Sequence, residues 1–280
     1  MISEIIHIFK NSKKSGIILI FALLIICVCF IFLPKIFHKD IADLSEIVER
    51  GRLVVVVDDS DNGFTMRNDS IFGFEYEIIK AFSDYLGVEL EITRENDTKA
   101  AIESLKKGEY DIVAKIIPNT VETRHDDITL TQPIVKTRQM LVQRKEQKSD
   151  SINHYISTQY QLGNNTIYLP LNSFYKQRIE NLMQEIADTI FIVELPDISP
   201  ETLVALVANG EISHTIFPET YKNRYEKIYP NLDFSLPINF TQEQCWAVNI
   251  HTPHLAKEIN DFLANFQESA EYLEICRKYF

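Results

Sequence analysis

The strongest constraint on what this chain can fold into is an alternation of short apolar runs and helix-period segments that is run through twice. Arg52 to Val57 is a continuous apolar strand, after which Phe74, Ile78, Phe82, Tyr85 and Leu86 recur at helical spacing with Gly87 as the stop. Val88 to Ile92 reads as a second strand, Ala100 to Lys107 as a second helix closed by Gly108, and Asp111 to Ile117 as a third strand. Parallel neighbours in a sheet need a long crossover, usually a helix, so this order predicts a parallel sheet with flanking helices. The second round starts at Thr166 to Leu169. Its first helix opens at Ser173 and carries Tyr175, Ile179, Leu182, Met183 and Ile186 on one face, and Ile190 to Val193 is the next strand. Ser199 then caps a helix with Pro200 in its first turn and Asn209-Gly210 at its end, and His214 to Phe217 is a further strand.

The expected fold class is therefore α/β in two lobes. Residues 52–143 supply the first part of lobe 1, residues 144–238 form lobe 2, and residues 239–280 return to lobe 1. In that return Cys245 to Asn249 rejoins the first sheet, and a helix from Leu255 to Phe280 covers it. Crossings near 143, in the polar stretch Arg144 to Asp150, and near 238 at Pro237 are expected to act as a hinge of two extended segments. Leu44 to Gly51 reads as a helical turn ending at glycine, ahead of the first strand.

Gly16 to Leu33 holds no charged side chain and no polar one beyond Cys27 and Cys29, and at 1.5 Å per residue it spans roughly 27 Å, enough to cross a bilayer. The run is compatible with a retained anchor, a cleaved signal peptide, or a lipoprotein signal ending at Cys27 or Cys29. Ile25-Ile26 and Val28 precede those cysteines and no A-x-A-like site follows before Pro34, which favours the retained anchor. Residues 1–15 are then cytoplasmic, 16–34 form one transmembrane helix, 35–51 a stalk, and everything beyond faces the other side. Lys10, Lys13 and Lys14 before the span set against Lys35, His38 and Lys39 after it leave a small asymmetry in favour of that orientation.

The chain carries a formal net charge of −12, and beyond residue 40 the excess of acid is larger. Such a surface repels nucleic acid, so no nucleic-acid partner is expected. Cys245 and Cys276 lie outside the span; a disulfide between them and a pair of buried thiols are both open. No nucleophile elbow, phosphate loop, H-E-x-x-H or paired C-x-x-C occurs, and no catalytic residue, cofactor or metal is expected. Adjacent residues on a helical turn point apart, which argues against His125-Asp126-Asp127 as a metal site. Counting from Asp59 the twelfth residue is Ser70, which rules out a calcium loop. In the acidic loop after the first strand, Asp58, Asp59 and Asp61 offer carboxylates to a ligand ammonium with Phe64 as a ring face, or they are a solvated turn.

Three further segments are informative together: Gly73-Phe74-Glu75-Tyr76-Glu77, the exit Asp84 to Val88, and Arg124 placed six residues before Leu130-Thr131-Gln132-Pro133. Over roughly residues 45 to 280 the chain resembles the family 3 extracellular solute-binding proteins. That resemblance implies the type II periplasmic binding protein fold and a clamp that closes on a ligand. It further implies that Arg124 grips a ligand carboxylate through its planar fork. The chain departs from the family pattern at several places. Ile134 stands where the family has tyrosine, and Ile116-Ile117-Pro118-Asn119-Thr120 replaces a glycine- and threonine-containing loop, leaving Asn119 and Thr120 as the polar contacts. Both aspartates of the family's second-lobe motif are absent, which leaves Glu219 as the acid for a ligand amine or as a first-turn residue favoured by the helix dipole.

The Leu44 to Gly51 turn and the Phe74 helix look most like the non-catalytic N-terminal domain of membrane-bound lytic transglycosylase F. There a lysozyme-like domain follows; here the sequence ends at Phe280, so no hydrolysis of peptidoglycan is expected. The implied function is a membrane-anchored binding domain on the periplasmic side of the inner membrane. It would recognise a small amino-acid-like or wall-peptide-like ligand for transport or sensing, with a membrane transporter or a cell-wall enzyme as partner. Cyclohexadienyl dehydratases resemble the same binders, so an enzyme on this fold is the alternative, and a ligand-free interaction module is a third.

Overall fold

The computed structural model describes residues 41–68, 70–124, 126–145 and 155–280. The expected membrane span, the cytoplasmic N-terminus, His125 and most of the Arg144 to Asp150 stretch lie outside the described residues. Among those described, no helix is long and apolar enough to cross a membrane.

In chain order the first part contains α1 (Leu44–Arg50), β1 (Arg52–Val57), a hairpin of β2 (Thr65–Arg67) and β3 (Ser70–Phe72), α2 (Phe74–Leu86), β4 (Glu89–Arg94), α3 (Thr98–Lys106), β5 (Ile112–Pro118), β6 (Ile128–Leu130) and β7 (Val135–Thr137). The second part contains β8 (Gln139–Arg144), β9 (Thr166–Pro170), α4 (Tyr175–Ile186), β10 (Phe191–Leu195), α5 (Pro200–Asn209), β11 (Thr215–Pro218), α6 (Lys222–Ile228) and β12 (Leu232–Asp233). The chain closes with β13 (Gln242–Asn249), α7 (Pro253–Phe266) and α8 (Ala270–Tyr279).

Two sheets result. The first has strand order β4-β1-β5-β13-β6, with β7 also on β13, and the second has order β10-β9-β11-β8-β12. β1 runs parallel to β4 and β5, whereas β13 is antiparallel to β5. In the second sheet β9 is parallel to β10 and β11, while β8 is antiparallel to β11. Each sheet is thus built from a parallel βαβ core to which the strand next to a crossing adds in the opposite sense.

That arrangement places the crossings. β7 pairs with β13 in the first sheet and β8 with β11 in the second, so the chain changes lobe at Arg138. The expected boundary near 143 therefore falls too late. Met140 to Val142 is an apolar strand, but its hydrogen-bonding partners lie in the second sheet, which local sequence does not reveal. The return runs alongside: Ile238 N–H donates to the Gln139 carbonyl at 2.7 Å, and the next sheet residue is Gln242.

Period-2 alternation within the strands sorts the core. Val55 and Val57 belong to one buried cluster with Phe74, Ile78 and Phe82 of α2, while Val56 joins Ile102, Leu105 and Val113 under α3. A third cluster, Leu141, Ile167, Ile179 and Leu182, sits beneath α4. Each such side chain contributes roughly 1.5–3 kcal/mol when fully buried. The closing helix expected from Leu255 to Phe280 is two helices, because Ser269 caps a new start by accepting from the Tyr272 N–H. Cys245 is buried, Cys276 is partly exposed, and both are free thiols; burial pushes the Cys245 thiol up to about 12.

The lobes touch. Asn62 donates to Glu201, Asn172 donates to Asp97 at 2.8 Å, and the Phe280 ring lies 4.7 Å from Phe74 of lobe 1 and 5.3 Å from Tyr221 of lobe 2.

Candidate functional site

Between the lobes is a cleft with a free volume of about 90 Å³, lined from lobe 1 by the loop after β1, the start of α2 and Ile116. Lobe 2 contributes the ends of β9 and β11, the starts of α4 and α5, and Tyr221, while Gln139 comes from the crossing.

Glycine sets the lobe 1 wall. Gly73 adopts φ 151°, and a Cβ there would stand 2.0 Å from the Gly63 carbonyl oxygen, so only glycine lets the opening of α2 lie against the 58–63 loop. The Glu75 N–H donates to the Asn62 carbonyl at 3.2 Å, and Gly63 N–H to Ser60 Oγ at 2.9 Å. This close approach carries Glu75 into the cleft at 3 % exposure. On the other side, Ser199 caps α5 and Pro200 fixes its first turn, which points Glu201 inward.

The electrostatics are unusual for first-turn glutamates. Burial raises the Glu75 carboxyl well above the usual range, helped by Asp58 and Glu201 and opposed by Lys115. Burial likewise raises Glu201 to about 7, with Asp58 and Asp61 adding to the rise and Ser199 opposing it. Desolvation also raises the Tyr175 and Tyr221 hydroxyls. Lys115, 2 % exposed in the middle of β5, is fully engaged: it pairs with Asp58 at 2.7 Å and donates to the carbonyls of Glu95 and Asn96 at 2.9 and 3.2 Å.

Six buried side-chain polar atoms among the described residues lack a hydrogen-bond partner: Asn62 Oδ1, Glu75 Oε2, both amide atoms of Gln139, Glu201 Oε2 and the Tyr221 hydroxyl. All five of these side chains line this one cleft. Gln139 lies near the Tyr175 hydroxyl without reaching hydrogen-bond geometry. Orphaned buried groups cost about 1–3 kcal/mol each, and a fold keeps them where something else meets them.

The residues expected from sequence separate into four places. Asp58 lines the cleft, but its carboxylate is committed to Lys115. Asp59 accepts from Arg94 at 3.1 Å, and Phe64 packs edge-on to Tyr76 with ring centroids 5.3 Å apart; neither lines the cleft. Arg124, Asn119 and Thr120 do come together, in a turn at the end of β5. Arg124 Nε donates to Asn119 Oδ1 at 3.1 Å, Asn119 N–H to the Glu243 carbonyl at 2.8 Å, and Thr120 N–H to Thr123 Oγ1 at 3.0 Å. That turn is not part of the cleft lining, and Arg124 is exposed. Glu219 accepts two bonds from Arg138, at 2.8 and 2.6 Å, and braces the crossing instead of facing the cleft.

Reasoning from sequence missed Glu75, Glu201, Asn62, Gln139 and Tyr221. Two signals pointed toward them. Lys115 interrupts an otherwise apolar strand and so requires a buried partner, and Glu75 lies inside the Gly73 to Glu77 segment itself. Among the described residues no group of His, Cys, Asp and Glu is arranged to hold a metal ion.

The family model for bacterial extracellular solute-binding proteins, family 3, matches residues 53–280. A curated relative, membrane-bound lytic murein transglycosylase F of Desulfosudis oleivorans, is 26 % identical over 244 residues, covering 87 % of this chain and 52 % of the relative. The chain thus spans about half the length of that relative. Among solved structures, a mutant of ArgBP from T. maritima superposes with TM-score 0.72 at 21 % identity over 85 % of this chain and 98 % of that one. The solute receptor for L-cysteine of Neisseria gonorrhoeae superposes with TM-score 0.72 at 18 % identity over 85 % and 94 %. These likenesses establish the two-lobe α/β periplasmic binding protein fold.

Proposed function

Because the chain belongs to family 3 of the bacterial extracellular solute-binding proteins, we propose that its cleft captures one small amino-acid-like solute between the lobes and that the solute completes the closed form. The observation that carries this reading is the gathering of six unpartnered buried polar atoms on the walls of one cleft. A ligand's own donors and acceptors can satisfy buried polar groups of this kind, and the lobe contacts Asn62–Glu201 and Asn172–Asp97 hold the walls around it.

Volume supports the smaller of the two ligand classes the resemblance suggests. About 90 Å³ is less than the roughly 150 Å³ cavity that admits benzene, so the closed cleft suits a compact solute and not a wall peptide. The names of the relatives, membrane-bound enzymes, together with the family description, support a chain held at the membrane and facing the periplasm. Delivery to a transporter and reporting to a cell-wall enzyme are the two outlets such a domain serves. We read the domain as a binder and not a catalyst, with Arg138–Glu219 stiffening the crossing about which it closes.

Titration calorimetry of the full-length chain in detergent, against pooled small amines and amino acids and separately against muropeptides, tests the reading. Saturable binding at one site is expected from the small-solute pools. Binding confined to muropeptides, or turnover of arogenate or prephenate, would replace it.

A further inference from the structure

The donor and acceptor inventory of the cleft says more about the solute. Resting on the reading that the cleft holds it, we propose that the solute is a compact primary ammonium without a carboxylate of its own, held by Glu75, Glu201, Asn62 and Tyr221.

Of the six unpartnered atoms, Asn62 Oδ1 and Gln139 Oε1 are acceptors, and Glu75 Oε2 and Glu201 Oε2 are acceptors once their carboxyls have released their protons. The Gln139 amide nitrogen is a donor, and the Tyr221 hydroxyl serves either way. The orientation of Asn62 is fixed by its donation to Glu201, so its oxygen is the atom left over. An ammonium brings three N–H donors and no acceptor, which complements this set. A carboxylate, which only accepts, finds one fixed unpartnered donor in the set, the Gln139 amide nitrogen, with the Tyr221 hydroxyl as a second.

Among the described residues the cleft lining holds no lysine, arginine or histidine, and Arg224, beside Glu201 in the adjoining pocket, is paired with Asp61 at 3.7 Å. Lys115 has spent its donors on Asp58 and two carbonyls, and Arg138 is paired with Glu219 outside the lining. Arg124 lies outside the lining as well. Of the helix starts at the cleft, those of α2 and α5 each carry a glutamate in the first turn, which disfavours an anion there, whereas that of α4 carries no acid. Their depth is part of the argument: Glu75 is 3 % and Tyr221 1 % exposed, so neither is screened by solvent.

Protonation gives an independent handle. The charged and titratable groups facing Glu75 and Glu201 are Asp58, Asp61, Lys115, Tyr175, Tyr221, Tyr225 and Arg224, the last paired with Asp61 at 3.7 Å. With both glutamates holding protons above the usual range, an ammonium displaces protons as it binds. Affinity then rises as pH rises through about 7, the value for Glu201, and the heat of binding depends on the ionisation enthalpy of the buffer.

The experiment is calorimetry of the full-length chain in detergent with methylamine and ethanolamine hydrochlorides set against glycine and L-alanine. Expected results are amine binding at least about tenfold tighter than binding of either zwitterion, with proton release. Glu75→Gln, close to isosteric, should weaken the amine by about tenfold or more with the circular dichroism spectrum unchanged, and Tyr221→Phe should weaken it severalfold. Arg124→Ala should bind the amine as the parent does. If glycine or alanine binds tighter and Arg124→Ala weakens that binding, the ammonium proposal fails while the cleft reading stands. If the amine binds but Glu75→Gln and Tyr221→Phe leave it unchanged, the cleft reading fails. Binding of neither class overturns the ammonium proposal.

Discussion

Glu75 and Glu201 each sit in the first turn of a helix, where the macrodipole favours a charged carboxylate by about 0.3–1 kcal/mol. Burial of a charge costs several kcal/mol, so burial wins and both carboxyls titrate high. The folded protein therefore holds these protons more tightly than the unfolded chain. The stabilising contribution is full below the ordinary glutamate range and is lost as pH rises through about 7 for Glu201. Thermal melts should show Tm falling between roughly pH 5 and pH 8, and Glu201→Gln should flatten part of that slope. Identical slopes in parent and variant would remove Glu201 from the account. Lys115→Met is expected to cost about 3 kcal/mol, at the low end for breaking a buried pair, because Asp58 keeps 28 % exposure and can be partly solvated. Urea midpoints measure this, and a loss under about 1 kcal/mol would contradict it. At this scale the sequence was least legible. Spacing located Arg124, but whether a side chain is buried at 124 or at 75 depends on what the second lobe brings against it, and local pattern carries none of that.

The elements themselves were legible wherever hydrophobic period and punctuation agreed. Arg52–Val57, Phe74–Leu86 and Pro200–Asn209 fall where apolar spacing, Ser199 and the stops at Gly87 and Gly210 put them. What failed was pairing and continuity. The hairpin Thr65–Phe72 and the short strands Ile128–Leu130 and Val135–Thr137 are too brief for a period to show, and the break before Ala270 rests on one serine cap. Gly73 gives the test of how an element is aimed. With φ 151° and a Cβ position 2.0 Å from the Gly63 carbonyl, Gly73→Ala must shift backbone, not merely a side chain. We expect a loss of about 1–3 kcal/mol in urea unfolding, together with weaker solute binding, because Glu75 moves with the turn. A Gly73→Ala protein that melts and binds like the parent would show that α2 is aimed by other contacts.

For the whole molecule, two lobes and two crossings followed from the doubled alternation, whereas the position of the first crossing did not. The contact between lobes at Phe280 is open to direct test. Its ring bridges Phe74 and Tyr221, so Phe280→Ala should favour the open arrangement, read as a larger radius of gyration in small-angle scattering at unchanged helix content. An unchanged radius would assign closure to the polar contacts alone. The path of the chain also sets an order of events during synthesis. Residues 139–238 hold every strand of the second sheet in one continuous stretch, so that lobe can nucleate on near neighbours. The first sheet cannot finish in the same way: Ile117 on β5 must find Cys245 across roughly 130 residues, at a high cost in loop closure. Until β13 emerges from the ribosome, β5 presents a bare apolar edge. Holding factors that bind unfinished chains are therefore expected to recognise this half first and longest, with refolding from denaturant limited by the arrival of β13.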